Sequence, residues 1–146
     1  LRRAVAVLLA LSFLLTPFAG CTVSHPDGSA WRDQARQTLD DVASEVATAS
    51  LVLEQLNGGR LPSSYGITMA VAAEEAASTA EEKLSSVQAP ASLGGVPRKV
   101  LALIGRATEA VRKAREAVVA EHYDVSRLLR ELDRLRTALD EQRAAL

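Results

Sequence analysis

Between Ala35 and Leu56 the apolar residues Ala35, Leu39, Val42, Val46, Ala49, Leu53 and Leu56 recur at alternating steps of four and three. This spacing keeps one side of an α-helix apolar for three heptads, whereas a half-buried strand needs a period of two. Three later segments carry similar seams. The second runs Tyr65, Met69, Ala72, Ala76 and Ala80, with Leu84 one place out of step and Val87 beyond it. The third runs Val100, Ile104, Ala107, Val111, Ala114 and Val118, and the fourth Val125, Leu128, Leu132, Leu135 and Leu139, continuing to Gln142 and Leu146. Composition agrees. Apolar residues make up 48% of the chain but aromatics only 3%, and much of the rest is Ala, Leu, Glu, Arg and Gln, which favour helix over strand.

The breaks between seams are chemically distinct. Ser29 can cap the first helix, and Asn57-Gly58-Gly59 supplies left-handed termination. After Arg60-Leu61-Pro62, Ser63 or Ser64 is the next cap. Ala89 to Pro97, with two prolines and the Gly94-Gly95 pair, is the strongest internal break, and Pro97 suits the first turn of a third helix. The third pattern resets around Glu121 to Asp124, with Asp124 as the next cap. Four helices of about 22 to 28 residues would each be about 33 to 42 Å long, and short connections make neighbours antiparallel. The expected fold is therefore all-α, an antiparallel up-down-up-down four-helix bundle. The alternative is a three-helix bundle in which the third and fourth helices merge. A step averaging 3.5 residues favours left-handed packing at about 20°.

The first residues read differently. Arg2 and Arg3 precede the apolar run Ala4 to Leu11, extended through Ser12, Phe13, Leu14 and Leu15, and Thr16-Pro17 interrupts it. A basic start, an apolar run of about twelve residues and small residues at its end describe an export signal. The run is short of the roughly twenty residues that span a bilayer. Phe18-Ala19-Gly20-Cys21 then resembles the lipobox of bacterial lipoproteins: Ala19, Gly20 and Cys21 match, and Phe18 stands where Leu is commonest. The resemblance covers the first twenty-one residues only. It implies a diacylglyceryl group on Cys21, cleavage before it by signal peptidase II, and a mature chain held on the outer face of the cell membrane by its lipid. An uncleaved signal anchor is the alternative, and both place the chain outside the cytoplasm. Since Cys21 is the only cysteine, a disulfide could form only between molecules. The organisation expected is thus a signal over residues 1–20, a lipidated cysteine and polar tether over 21–29, and a helical domain over 30–146.

Net charge is −1 overall, with no excess to suggest a nucleic-acid partner. Its distribution is uneven. Thr22 to Pro90 holds four basic and ten acidic residues, net −6, whereas Ala91 to Leu146 holds eleven basic and eight acidic, net +3. An acidic first half and a basic second half suggest attraction within the fold, with Glu74, Glu75, Glu81 and Glu82 as the main acidic contributors. Arg127, Arg130, Arg134 and Arg136 cover much of the fourth helix. Anionic lipid or a cell-wall polymer is one reading of that surface; with Glu131, Asp133 and Asp140 interspersed, a solvated face is the plainer one.

Chemistry has little to work with. The only histidines are His25 and His122, and neither stands three residues after a glutamate, as the di-iron helical bundles require. His25 and Asp27 are two ligands where a metal site needs three or four. No haem-attachment, phosphate-loop, dinucleotide-binding or nucleophile-elbow motif occurs. The expectation is a non-enzyme without metal or cofactor, acting as a structural or protein-interaction module with an envelope protein or polymer as partner. One constellation offers more. In an antiparallel bundle Tyr65, His122 and Tyr123 gather at the membrane-distal end, where they could bind a small ligand, peptide or glycan. The plainer reading is that the rings close the open end of an alanine-rich core. Trp31, near the tether, is expected to cap the core rather than touch the membrane interface.

Overall fold

A computed structural model describes residues 28–122 and 125–146. They form four α-helices: α1 (Gly28–Asn57), α2 (Ser63–Ser85), α3 (Val96–Val119) and α4 (Ser126–Ala144), with one 3₁₀ turn at Ala91–Leu93. No strand occurs among the described residues. The all-α expectation holds, and α3 and α4 are separate helices, so the merged alternative does not.

The seam read for α1 is buried at all seven positions, and Trp31, Thr38, Ala43 and Val52 are buried beside it. The stripe is wider than two positions per heptad because α1 packs against α2, α3 and α4 alike. Helix α3 likewise touches all three others, whereas α2 and α4 each lie chiefly against α1 and α3. The cross-section is therefore a rhombus, with α1 and α3 on its short diagonal and α2 and α4 on opposite sides of them. Trp31, 1% exposed, is core, as expected. The large buried side chains come from every helix, including Leu39, Leu53, Leu84, Ile104, Leu132 and Leu139. Each contributes about 1.5–3 kcal/mol of apolar burial.

Helix α2 corrects the register read from sequence. Its buried positions are Gly66, Ala70, Ala73, Ala77, Ala80 and Leu84, an unbroken 4-3-4-3-4 series in which Leu84 is in step. Tyr65, Ala72 and Ala76 face solvent, and Met69 is half-buried. The reason is close approach: a Cβ on Gly66 would stand 2.8 Å from Leu56 Cδ1, so a side chain as large as tyrosine has no room there. Alanine brings little area of its own to this seam. It lets α2 approach the larger valines, leucines and isoleucine of α1 and α3.

Helix ends follow backbone hydrogen bonding more than side-chain caps. At the end of α1, Arg60 N–H donates to Gln55 O (2.9 Å) and Gly59 N–H to Leu56 O (3.0 Å). Gly59 has φ +64°, so the left-handed termination expected here is present. At the end of α3, His122 N–H donates to Ala117 O (2.9 Å) and Glu121 N–H to Val118 O (3.1 Å), the same motif. Its left-handed position is a glutamate, Glu121, with φ +52°. Pro97 occupies the first turn of α3, as expected.

Three cap assignments change. Ser29 is already inside α1, which is helical from Gly28. Pro62, not Ser63 or Ser64, is the cap of α2, and its carbonyl accepts from the N–H groups of Tyr65 (3.1 Å) and Gly66 (3.0 Å). Val125 precedes α4 as its cap, while Asp124 lies outside the described residues.

Candidate functional site

The surface carries open grooves, and they follow the edges of the rhombus. Between α3 and α4 three depressions of about 390, 510 and 580 Å³ share lining residues and run as one groove along the bundle. Its middle is flanked by Arg106 and Lys113 of α3 and Arg127 and Arg134 of α4, over a floor of Leu135 and Ala138. Lys99 extends the cationic row toward the start of α3. Lys99, Arg106 and Lys113 are spaced by seven residues, which keeps them on one line along α3, about 10.5 Å apart. Glu109 and Glu131 lie in the groove's centre, Glu109 close enough to Lys113 to feel its charge, and Glu141 lies toward one end.

Five arginines outside this groove, Arg36, Arg112, Arg115, Arg136 and Arg143, are paired with carboxylates, whereas Arg98 and Arg130 are not paired within the described residues. Arg112 donates from Nε (2.9 Å) and Nη2 (2.6 Å) to the Glu109 carboxylate, and also pairs with Glu116. The hydrogen bond from Arg112 holds the Glu109 carboxyl below its usual range, and the same bond raises the guanidinium of Arg112. Arg115 pairs with Glu74 across α3 and α2, and Arg143 with Asp40 across α4 and α1. Arg136 lies 3.8 Å from Asp133 on its own helix. By contrast, Lys99, Arg106, Lys113 and Arg127 make no ion pair within the described residues.

The opposite edge, between α1 and α2, carries a groove of about 500 Å³ with Asp41, Glu45, Glu75 and Lys83 around a floor of Ala72, Ala76 and Ala80. Gln37 donates to Asp41 (2.8 Å). Burial, and then the neighbouring charge of Asp41, push the Glu45 carboxyl above its ordinary range.

The residues singled out in the sequence fare unequally. His122 is exposed and lines the α3–α4 groove beside Val125 and Arg127. Tyr65 does not line that groove. It is 57% exposed, so it does not close the end of the core. Tyr123 lies outside the described residues, as do Phe18, Ala19, Gly20 and Cys21, together with His25 and Asp27. The acidic contributors also divide: Glu74 meets Arg115 and Glu81 approaches Gly105 of α3, whereas Glu75 turns to the outer groove and Glu82 to solvent. The residues missed were Lys99, Arg106 and Lys113, whose seven-residue spacing was the available signal. Among the described residues no group of three or more His, Cys, Asp or Glu side chains is placed to hold a metal ion, and no helix is long and apolar enough to cross a membrane. Comparison with protein-family models, with curated proteins and with solved structures gives no match for this chain.

Proposed function

We propose that the chain is an extracytoplasmic lipoprotein, anchored to the cell membrane by lipid on Cys21, whose helical body is a non-catalytic structural or protein-interaction module. The observation that carries this reading is Phe18-Ala19-Gly20-Cys21 at the end of a short apolar run, a few residues ahead of a self-contained helical body. Seven residue steps separate Cys21 from Gly28, at most about 25 Å of chain, so the body would be held close to the membrane surface. The non-catalytic part of the reading rests on the sequence, with its two separated histidines and missing motifs.

For the body, we infer the up-down-up-down order. It is supported by Leu56, at the end of α1, beside Gly66, at the start of α2. It is supported too by Glu74 opposite Arg115 and Glu81 opposite Gly105, where numbers rise along α2 as they fall along α3. Lys113 near Arg127 and Lys99 near Ala145 give the same sense for α3 and α4. In this arrangement the Asn57-to-Ser64 loop and the α3–α4 connection lie at the membrane-distal end.

The test of the anchor is labelled fatty acid fed to cells making the wild type or Cys21→Ser. Label on the wild type alone is expected; equal labelling of both refutes the lipoprotein reading. Crosslinking in cells from the Asn57-to-Ser64 loop would identify the partner. A second reading, binding of a small ligand or envelope polymer at the distal end, retains one favourable observation: His122 lines a groove of about 390 Å³, within the size range of ligand sites. Loss of binding on His122→Ala but not on Tyr65→Ala is the pattern it predicts.

A further inference from the structure

We propose that this chain binds a second copy of itself side by side, the acidic α1–α2 groove of one molecule docking on the basic α3–α4 groove of the next. The contact itself is independent of the lipid, and only its orientation in a membrane plane rests on the reading of Cys21 given above.

The argument begins with where the charge goes. Attraction between the halves within the fold uses Glu74 with Arg115 and Asp40 with Arg143. It leaves Glu45 and Glu75 without an ion pair on one outer edge, and Arg106, Lys113 and Arg127 without one on the other. Because α2 and α4 lie on opposite sides of the α1–α3 pair, the α1–α2 and α3–α4 edges face away from each other. Charges so placed cannot neutralise one another within a molecule, but they can between molecules.

Height also matches. Glu74 lies opposite Arg115 and Glu81 opposite Gly105. Hence the part of α2 lining the acidic groove is level with the part of α3 that lines the middle of the basic one. A simple sideways displacement of one copy superposes the two grooves. It preserves orientation, so every copy in a row keeps its N-terminal tether on the same side, as anchoring in one membrane requires. The contact joins different surfaces and does not close on itself, which gives rows and not a two-fold dimer.

The pattern of signs favours a protein over a uniform polyanion. Glu131 in the middle of the basic groove would repel a polymer of repeating negative charge. A second copy offers separated carboxylates, Asp41, Glu45 and Glu75, in a surface that also holds Lys83, and not a uniform run of negative charge. The small floor residues, Ala72 and Ala76 on one side and Ala138 on the other, allow close helix approach.

The test is sedimentation velocity on the full chain in a non-ionic detergent, with four proteins: wild type, Glu45→Lys/Glu75→Lys, Arg106→Glu/Arg134→Glu, and the chain carrying all four changes. Expected is concentration-dependent association of the wild type that weakens as salt is raised through the range where the screening length falls below about 8 Å. Each face reversal should weaken association about tenfold or more. The fourfold variant, and an equimolar mixture of the two face variants, should recover it. Circular dichroism checks that each variant keeps its helix, and Glu75→Gln and Arg106→Gln provide milder changes in the same direction. A wild type that stays monomeric per micelle overturns the proposal, as does association indifferent to both reversals. Binding to added polyphosphate without self-association also overturns it, since the basic groove would then have another occupant. Labelling of the wild type and Cys21→Ser in parallel separates the two claims: a wild type that associates but takes up no more label than Cys21→Ser leaves the contact standing and removes the anchor, and a wild type that is labelled but does not associate does the reverse.

Discussion

Replacing Gly66 by alanine should destabilise this protein, although alanine is the best helix former. In an unobstructed helix the exchange gains up to about 1 kcal/mol. At this position the new Cβ would lie 2.8 Å from Cδ1, 3.0 Å from Cδ2 and 3.1 Å from Cγ of Leu56. Carbon atoms in favourable contact stand about 3.5–4.0 Å apart, so all three distances are short together. Turning the Leu56 methyls away relieves two contacts and leaves the third, and Leu56 is itself buried in the core cluster. Overpacking of this kind costs about 1–3 kcal/mol. The clash therefore outweighs the propensity, for a net loss of about 1 kcal/mol and a fall in melting temperature of about 3–6 °C for a chain this size. The measurement is urea unfolding of Gly66→Ala in two backgrounds, wild type and Leu56→Ala. With Leu56 truncated nothing opposes the new methyl, and the same change should stabilise by up to about 1 kcal/mol, a coupling of about 2 kcal/mol. Equal effects in both backgrounds would refute the close approach of α1 to α2, and with it the register that buries Gly66 and exposes Tyr65.

Three further expectations follow from other parts of the fold. Glu121 holds a left-handed backbone at the end of α3 with φ +52°, so Glu121→Gly should stabilise by about 1 kcal/mol, read as a higher thermal midpoint. Leu132 is fully buried while Leu51 is half exposed. Leu132→Ala should cost about 2–5 kcal/mol and Leu51→Ala no more than about 0.5 kcal/mol in chemical denaturation. The Glu45 carboxyl is raised in the folded state by burial and then by Asp41. As pH climbs through the window between its unfolded and folded values, the unfolded chain has already lost this proton, so the native state loses stability across that window. Glu45→Gln should accordingly stabilise at neutral pH, by well under about 1 kcal/mol because the group is only partly buried and water still screens it. The gain should vanish once both states are protonated, and a melting-temperature difference constant from acid to neutral pH would contradict this.

How much of the fold was legible depended on side-chain size. In α1 and α3 the seams are Val, Leu and Ile with alanines between, and every position read as buried is buried. What the seam did not convey is its width: Trp31, Thr38, Ala43 and Val52 are buried because α1 has three neighbours, whereas a two-position seam serves a helix pair. In α2 alanine is both abundant and nearly neutral between core and surface, so the pattern had several self-consistent registers. Reading from Tyr65 selected the wrong one. Counting back from Leu84, the one large aliphatic residue buried there, gives Ala80, Ala77, Ala73, Ala70 and Gly66, the rest of the buried set. An aromatic ring at a helix start reads as core, yet the space beside the Leu56 side chain is filled by the glycine next to it. The left-handed Glu121 was not legible either, because the usual signature of that conformation is glycine, and here a glutamate occupies it within the backbone hydrogen bonds from Glu121 and His122 that close α3.

Legibility of the surface failed for a different reason. Summing charge over each half of the chain predicts attraction between the halves, but a helix distributes its residues around a full circle, and only the inward-tilted ones can meet. Arg115 reaches Glu74 because both lie near the α2–α3 contact; Arg106 and Lys113, on the same helix, are turned away by their positions in the heptad. The same holds on α4, where Arg143 reaches Asp40 while Arg127 and Arg134 line the opposite groove. Reading Arg127, Arg130, Arg134 and Arg136 as one coat therefore concealed that two of them belong with Lys99, Arg106 and Lys113 of another helix. The informative quantity is charge per heptad position, not per segment. On that measure α1–α2 presents Asp41, Glu45 and Glu75 along one edge and α3–α4 a row of cations along the other. A fold stabilised chiefly by its apolar core can leave this much charge unpaired at little cost while it stays in water. That is why it is available for a partner.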